Sequence, residues 1–81
     1  MTMVPLNELS DNEVGLVVGF DPEMPKNRKE RFEDLGFTPN TPITRERNAP
    51  LGDPLLFRIR GNLLCLRRAE ARMIQVKRHA A

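Results

Sequence analysis

Residues 55–66 constrain the fold of this 81-residue chain more tightly than any other stretch. Leu55, Phe57 and Ile59 alternate with Leu56, Arg58 and Arg60. That period of two suits a strand with one face in a core and the other mostly in water. Gly61-Asn62 reads as a tight turn, and Leu63-Leu64-Cys65-Leu66 follows at once as a second apolar strand, with Leu64 and Leu66 expected in the core. Just upstream, Ala49-Pro50-Leu51-Gly52-Asp53-Pro54 is a turn-forming cluster with two prolines and a Gly-Asp step. Loop, strand, turn and strand together are the centre of a small β fold, and the other segments read as its cover.

From the amino terminus, the three-residue spacing of Leu6 and Leu9 predicts one helical turn with its apolar edge on a barrel mouth. Ser10-Asp11-Asn12 turns the chain, Asn12 being suited to positive φ. In the strand Val14 to Phe20, the residues Val14, Leu16, Val18 and Phe20 fall on one face and Gly15, Val17 and Gly19 on the other. Its two glycines point to sharp curvature or close backbone approach. Pro25 suits the first position of a helix running from Lys26 to Leu35, with Phe32 and Leu35 inward, Gly36 as the left-handed stop and Phe37 as the apolar contact after it.

The charges of that helix oppose its macrodipole: Lys26, Arg28 and Lys29 come early, Glu33 and Asp34 in the last turn. Either a short helix tolerates the cost, about 0.3–1 kcal/mol per exposed end charge, or the basic end, with Arg31, faces an acidic surface on a partner.

Thr38-Pro39-Asn40 fits a type II turn. Ile43, Arg45 and Arg47 form a weakly apolar strand, expected at a sheet edge with arginine stems over the core and heads in water. Arg67 to Ala71 reads as one helical turn, Met73 to Lys77 as a last strand with Ile74 and Val76 inward, and residues 78–81 as a fraying end. The expected fold is a single domain over residues 1–81. It is mainly β, a small, partly open SH3-like barrel of about five strands, with one helix after the first strand and a helical turn before the last.

Leu35-Gly36-Phe37-Thr38-Pro39-Asn40, then Ala49 to Pro54, then Arg60-Gly61, then Leu64-Cys65-Leu66-Arg67-Arg68-Ala69-Glu70-Ala71 resembles, in order and spacing, the FeoA family of small accessory proteins of bacterial ferrous-iron uptake. The likeness runs from about Leu6 to Val76 and rests on the ordered conjunction of these motifs. It implies an SH3-like barrel and a cytosolic, non-catalytic protein that contacts the FeoB permease at its cytosolic GTP-binding domain. Any membrane association would be indirect, by recruitment to the inner face of the membrane through that permease. Asn12 and Asn40 stand where the family commonly has glycine, and Arg45 where it commonly has an apolar residue. The proline-rich stretch 21–25 falls in a connection that varies among relatives.

Residue chemistry narrows the function further. Thirteen Lys and Arg against eleven Asp and Glu is a balanced surface. One cysteine, Cys65, excludes an internal disulfide framework and suits a reducing compartment. Cys65 alternates with Leu64 and Leu66, so it should face away from the core as a half-buried structural thiol, and His79 should be a solvated tail residue. The two form no ligand spacing, so neither a catalytic nor a metal site is assigned, and no cofactor; weak Fe²⁺ or Zn²⁺ binding would lack that support. No phosphate cradle or acid–base pair appears, and the chain reads as not an enzyme.

Arg58, Arg60, Arg67 and Arg68 make a basic stripe across the hairpin. A single-strand-binding barrel also needs stacking platforms, and the chain has no Trp, no Tyr and four Phe, all at expected core positions. Three function classes therefore stand in order: a partner-binding accessory protein, a metal-binding regulatory module, and a nucleic-acid-binding barrel. For the first, the expected contact residues are Pro50, Leu51, Gly52 and Asp53 in the loop, with Arg28 and Arg31 on the helix. The sequence is neutral on the number of copies.

Overall fold

Six antiparallel strands make one sheet in a computed structural model that describes residues 3–47 and 52–78. In chain order the elements are β1 (Met3–Pro5), a 3-10 turn (Leu6–Glu8), β2 (Val14–Phe20), α1 (Lys26–Asp34), β3 (Pro42–Arg45), β4 (Leu55–Ile59), β5 (Asn62–Leu66), α2 (Arg68–Ala71) and β6 (Ile74–Arg78). The sheet order is β1-β6-β2-β3-β4-β5. Buried side chains from every strand meet in one cluster, so the sheet curls round a single core. Phe37, Phe57, Leu6, Leu9, Ile43 and Leu55 are its largest fully buried side chains.

Local backbone chemistry follows the sequence closely. Asn12 and Asn40 have φ of 65° and 69°, and Gly36 has φ of 110°. The end of α1 is a Schellman motif: Phe37 N–H donates to Phe32 O at 3.0 Å and Gly36 N–H to Glu33 O at 3.0 Å. The accompanying apolar contact is an edge-on Phe32–Phe37 pair with ring centroids 5.3 Å apart. The Arg60 side chain lies over Gly36, where a Cβ would stand 2.6 Å from its Cδ.

Several expectations are corrected. β1 is an extra strand that three residues ending in proline did not signal. Pro25 stands at the N-cap, one residue before the helix begins. Leu35 is 41% exposed, because it is the C-cap, where the chain leaves the helix. In β2 the buried residues are Gly15 and Val17, and Val14, Leu16 and Val18 are half-buried. A bulge between Val17 and Gly19 returns Phe20 to the core side: Val17 pairs with Val76 and Phe20 with Ile74, both buried. There Phe20 stacks on Phe32 at 6.1 Å.

The β4–β5 turn is Arg60-Gly61, with φ of 50° and 79°, and Asn62 is already in β5, paired with Ile59. β3 is an interior strand between β2 and β4, so the edges are β1 and β5. Arg45 on β3 is only 6% exposed, and its head is not in water. Its Nη1 donates to Asn7 O at 3.2 Å and Leu9 O at 2.6 Å, satisfying carbonyls at the end of the 3-10 turn that would otherwise be buried without donors. Cys65 is exposed, not half-buried, because β5 is an edge. His79 and the end of the chain beyond Arg78 lie outside the described residues.

Glu13 ties three segments together. Its carboxylate accepts from Ser10 N–H at 2.7 Å and from Arg78 Nε at 2.9 Å, while Arg78 Nη2 donates to Glu8 O at 3.0 Å. The Ser10 backbone hydrogen bond, with a smaller contribution from Arg78, holds the Glu13 carboxyl below the usual carboxylate range against a raising effect of burial. A depressed folded-state pKa stabilises above the unfolded value, and that stabilisation is lost as pH falls through the folded value. Glu13→Gln is therefore expected to flatten part of the acid limb of the stability–pH curve below the ordinary glutamate pKa. Denaturation at stepped pH checks this; an unchanged acid limb would remove Glu13 from the acid response.

Candidate functional surface around the second helix

α2 has only four residues, yet it gathers three of the contact residues read from sequence, Gly52, Asp53 and Arg28. It is anchored by Ala71, which is fully buried. Arg68 binds the loop before β4 twice: its backbone N–H donates to Asp53 Oδ1 at 3.0 Å and its Nε to Gly52 O at 2.9 Å. Asp53 thus satisfies an orphan donor at the start of α2 from fifteen residues upstream. Gly52 takes φ of 75°, which turns its carbonyl towards Arg68 at little backbone cost.

On the opposite side, Arg28 Nη1 of α1 lies 3.9 Å from Glu70 Oε2, while Glu70 Oε1 accepts from Arg67 N–H at 3.2 Å. The Arg28–Glu70 pair is half in water, at 51% and 31% side-chain exposure. It contributes at most about 1 kcal/mol and orients more than it stabilises.

Gly52, Asp53 and Arg28 therefore converge on α2, and the exposed Arg31 lies three positions along α1 from Arg28. Pro50 and Leu51 lie outside the described residues. Arg28 meets an acid of its own chain, so the basic start of α1 is partly matched within the molecule. Neither Lys26–Glu30 nor Lys29–Glu33 closes into an ion pair among the described residues, consistent with the weaker cation-first order.

Arg68 and Glu70 are the members that residue-by-residue reasoning missed. Their signal was the Arg67 to Ala71 run, read only as a helical turn and part of a basic stripe. That stripe is broken up by its hydrogen bonds: Arg58 Nε pairs with Glu46 Oε2 at 3.3 Å, Arg68 is held by the loop, and Arg60 lies over Gly36.

A cleft of about 380 Å³ lies beside the β4–β5 turn, lined by Glu33, Asp34, Leu35, Gly36, Thr38, Arg60 and Asn62. Among the described residues no group of three or more His, Cys, Asp or Glu is arranged to hold a metal ion. No described helix is long and apolar enough to cross a membrane.

The FeoA domain model matches residues 4–78. The chain belongs to the FeoA family. Among solved structures, a FeoA-like protein from Clostridium acetobutylicum is 35% identical, with a TM-score of 0.83, over 100% of this chain and 93% of that one. FeoA from Chlorobium tepidum is 32% identical, with a TM-score of 0.85, over 95% of this chain and 71% of that one. FeoA of Stenotrophomonas maltophilia, complexed with zinc and described as a procaryotic SH3 domain protein, is 23% identical with a TM-score of 0.78 over 95% of this chain and 91% of that one. That last likeness shows the fold alone, an SH3-like one. No curated protein sequence matches the chain.

Proposed function

We propose that this FeoA-family protein is a non-catalytic accessory of bacterial ferrous-iron uptake, working by contact with the cytosolic GTP-binding part of an FeoB-type permease. The observation that carries the reading is the cluster around α2. The loop whose residues mark the family is fastened by Arg68 to the same short helix that Arg28 reaches through Glu70. Two segments far apart in sequence thereby form one exposed surface around α2. Gly52, Asp53, Arg28 and Arg31, with Pro50 and Leu51, are the contact residues of this proposal.

The test is capture of the purified permease domain by wild-type protein and two variants, Leu51→Glu and Arg28→Glu/Arg31→Glu. Burying one leucine at an interface is worth about 1.5–3 kcal/mol, so Leu51→Glu should weaken capture by about tenfold or more with an unchanged circular dichroism spectrum. Capture unimpaired by either variant would remove this surface from the contact.

A further inference from the structure

β5 is one of the two sheet edges, and its pairing with β4 determines which groups face outward. Arg60 and Gly61, both at positive φ, make a two-residue turn closing on the Ile59–Asn62 pair. Alternation from that hydrogen-bonded pair leaves the N–H and C=O of Leu63 and Cys65 directed away from β4. Leu63 is 53% exposed and Cys65 is exposed as well. Asn62–Leu66 contains no lysine, proline or bulge, the devices that keep edges from pairing. The other edge, β1, is three residues long and ends at Pro5, so it is already blunted.

α1 lies alongside this open edge. Its first half meets α2 through Arg28 and Glu70, just past the end of β5. Its last residues share the cleft with Arg60 and Asn62, at the start of β5. The helix and the strand therefore run antiparallel to one another, and the exposed Leu35 at the end of the helix lines the cleft they share. A helix flanking an open edge is the setting in which an added strand buries alternate side chains as well as pairing its backbone.

The charges are polarised along it. Arg67, just past the end of β5, makes no ion pair among the described residues, whereas Glu33 and Asp34 line the cleft at the other end together with Arg60.

We propose that the β5 edge takes up an extended peptide segment of another protein by antiparallel strand addition. The segment carries an acidic residue at its amino-terminal end, facing Arg67. Apolar residues occupy its centre, and a basic side chain at its carboxyl-terminal end enters the Glu33–Asp34 cleft. This site stands separately from the loop contact proposed above, because the strand variant below leaves Gly52, Asp53, Arg28 and Arg31 unchanged.

The test is an amide-shift titration of ¹⁵N-labelled protein with the blocked peptide Asp-Glu-Val-Ile-Val-Thr-Lys and with a version whose end charges are exchanged. Saturable shifts at the Leu63 and Cys65 amides are expected from the first peptide, and weaker binding from the second. Leu63→Pro removes an outward donor that the β4–β5 ladder does not use, and should weaken binding about tenfold. Arg67→Glu should weaken it about fivefold at low salt, with the difference fading as salt screens the charge. Absence of shifts at these amides, or equal affinity in Leu63→Pro, overturns the proposal. A dimer in sedimentation that Leu63→Pro dissolves would also overturn it, by giving the edge to a second copy.

Discussion

Phe37→Ala is expected to remove about 3–5 kcal/mol of folding stability, the usual cost of truncating a fully buried phenylalanine. Phe37 is fully buried, packs edge-on against Phe32, and donates the backbone hydrogen bond that closes the end of α1. At about 0.05–0.15 kcal/mol per residue, a domain of this length has only about 4–12 kcal/mol in total, so at the lower end of that range the variant would be near or past its unfolding midpoint in buffer. Urea denaturation followed by circular dichroism checks this. With a slope of about 1 kcal/mol per molar, the midpoint should fall by about 3 M or leave no folded baseline. A loss below about 1 kcal/mol would mean that the core closes over the cavity and that Phe37 is not central to it.

The second large effect is expected at Arg45. Arg45→Ala should cost about 3 kcal/mol, since hydrogen bonds from charged donors are worth about 1.5–3 kcal/mol each and the abandoned carbonyls stay buried. Nη1 alone serves both Asn7 O and Leu9 O. Arg45→Lys should recover only part of the loss, because an ammonium lacks the planar fork of the guanidinium. Hydrogen exchange separates this role from simple packing. The Leu9 amide, bonded to Leu6 O at 3.2 Å, should exchange faster in Arg45→Ala than amides of the β4–β5 hairpin do. Uniform acceleration across the sheet would instead make Arg45 an ordinary core residue.

Arg45 also shows how an arginine can stand on an interior strand. Its stem fills core space like an aliphatic residue, and its head donates to the Asn7 and Leu9 carbonyls at the end of the 3-10 turn. Nothing in the alternation of Ile43, Arg45 and Arg47 distinguishes that from an edge strand with solvated heads. The difference depends on Asn7 and Leu9, far away in sequence.

The candidate surface was legible to the same depth. Gly52 and Asp53 could be read as a turn, and Arg28 and Arg31 as exposed helix cations, from local pattern alone. That Arg68 fastens the loop, that Asp53 caps a helix fifteen residues on, and that Glu70 receives Arg28 are matters of three-dimensional neighbourhood.

By itself, the sequence determined what short-range sterics and periodicity control. Asparagines at positions 12 and 40 and glycine at 36 accept positive φ, Phe32 and Phe37 close the helix, and the alternations of β4 and β6 set their buried faces. Tertiary structure alone decided what depends on which strands pair. It made β3 interior and β5 an edge, brought Phe20 back to the core side of β2 through a bulge after Val17, and placed Arg45 inside. The physical reason is range. A residue's φ and its facing within a strand follow from neighbours a few positions away, whereas edge or interior status follows from hydrogen bonds to segments tens of residues distant. No local period records those bonds.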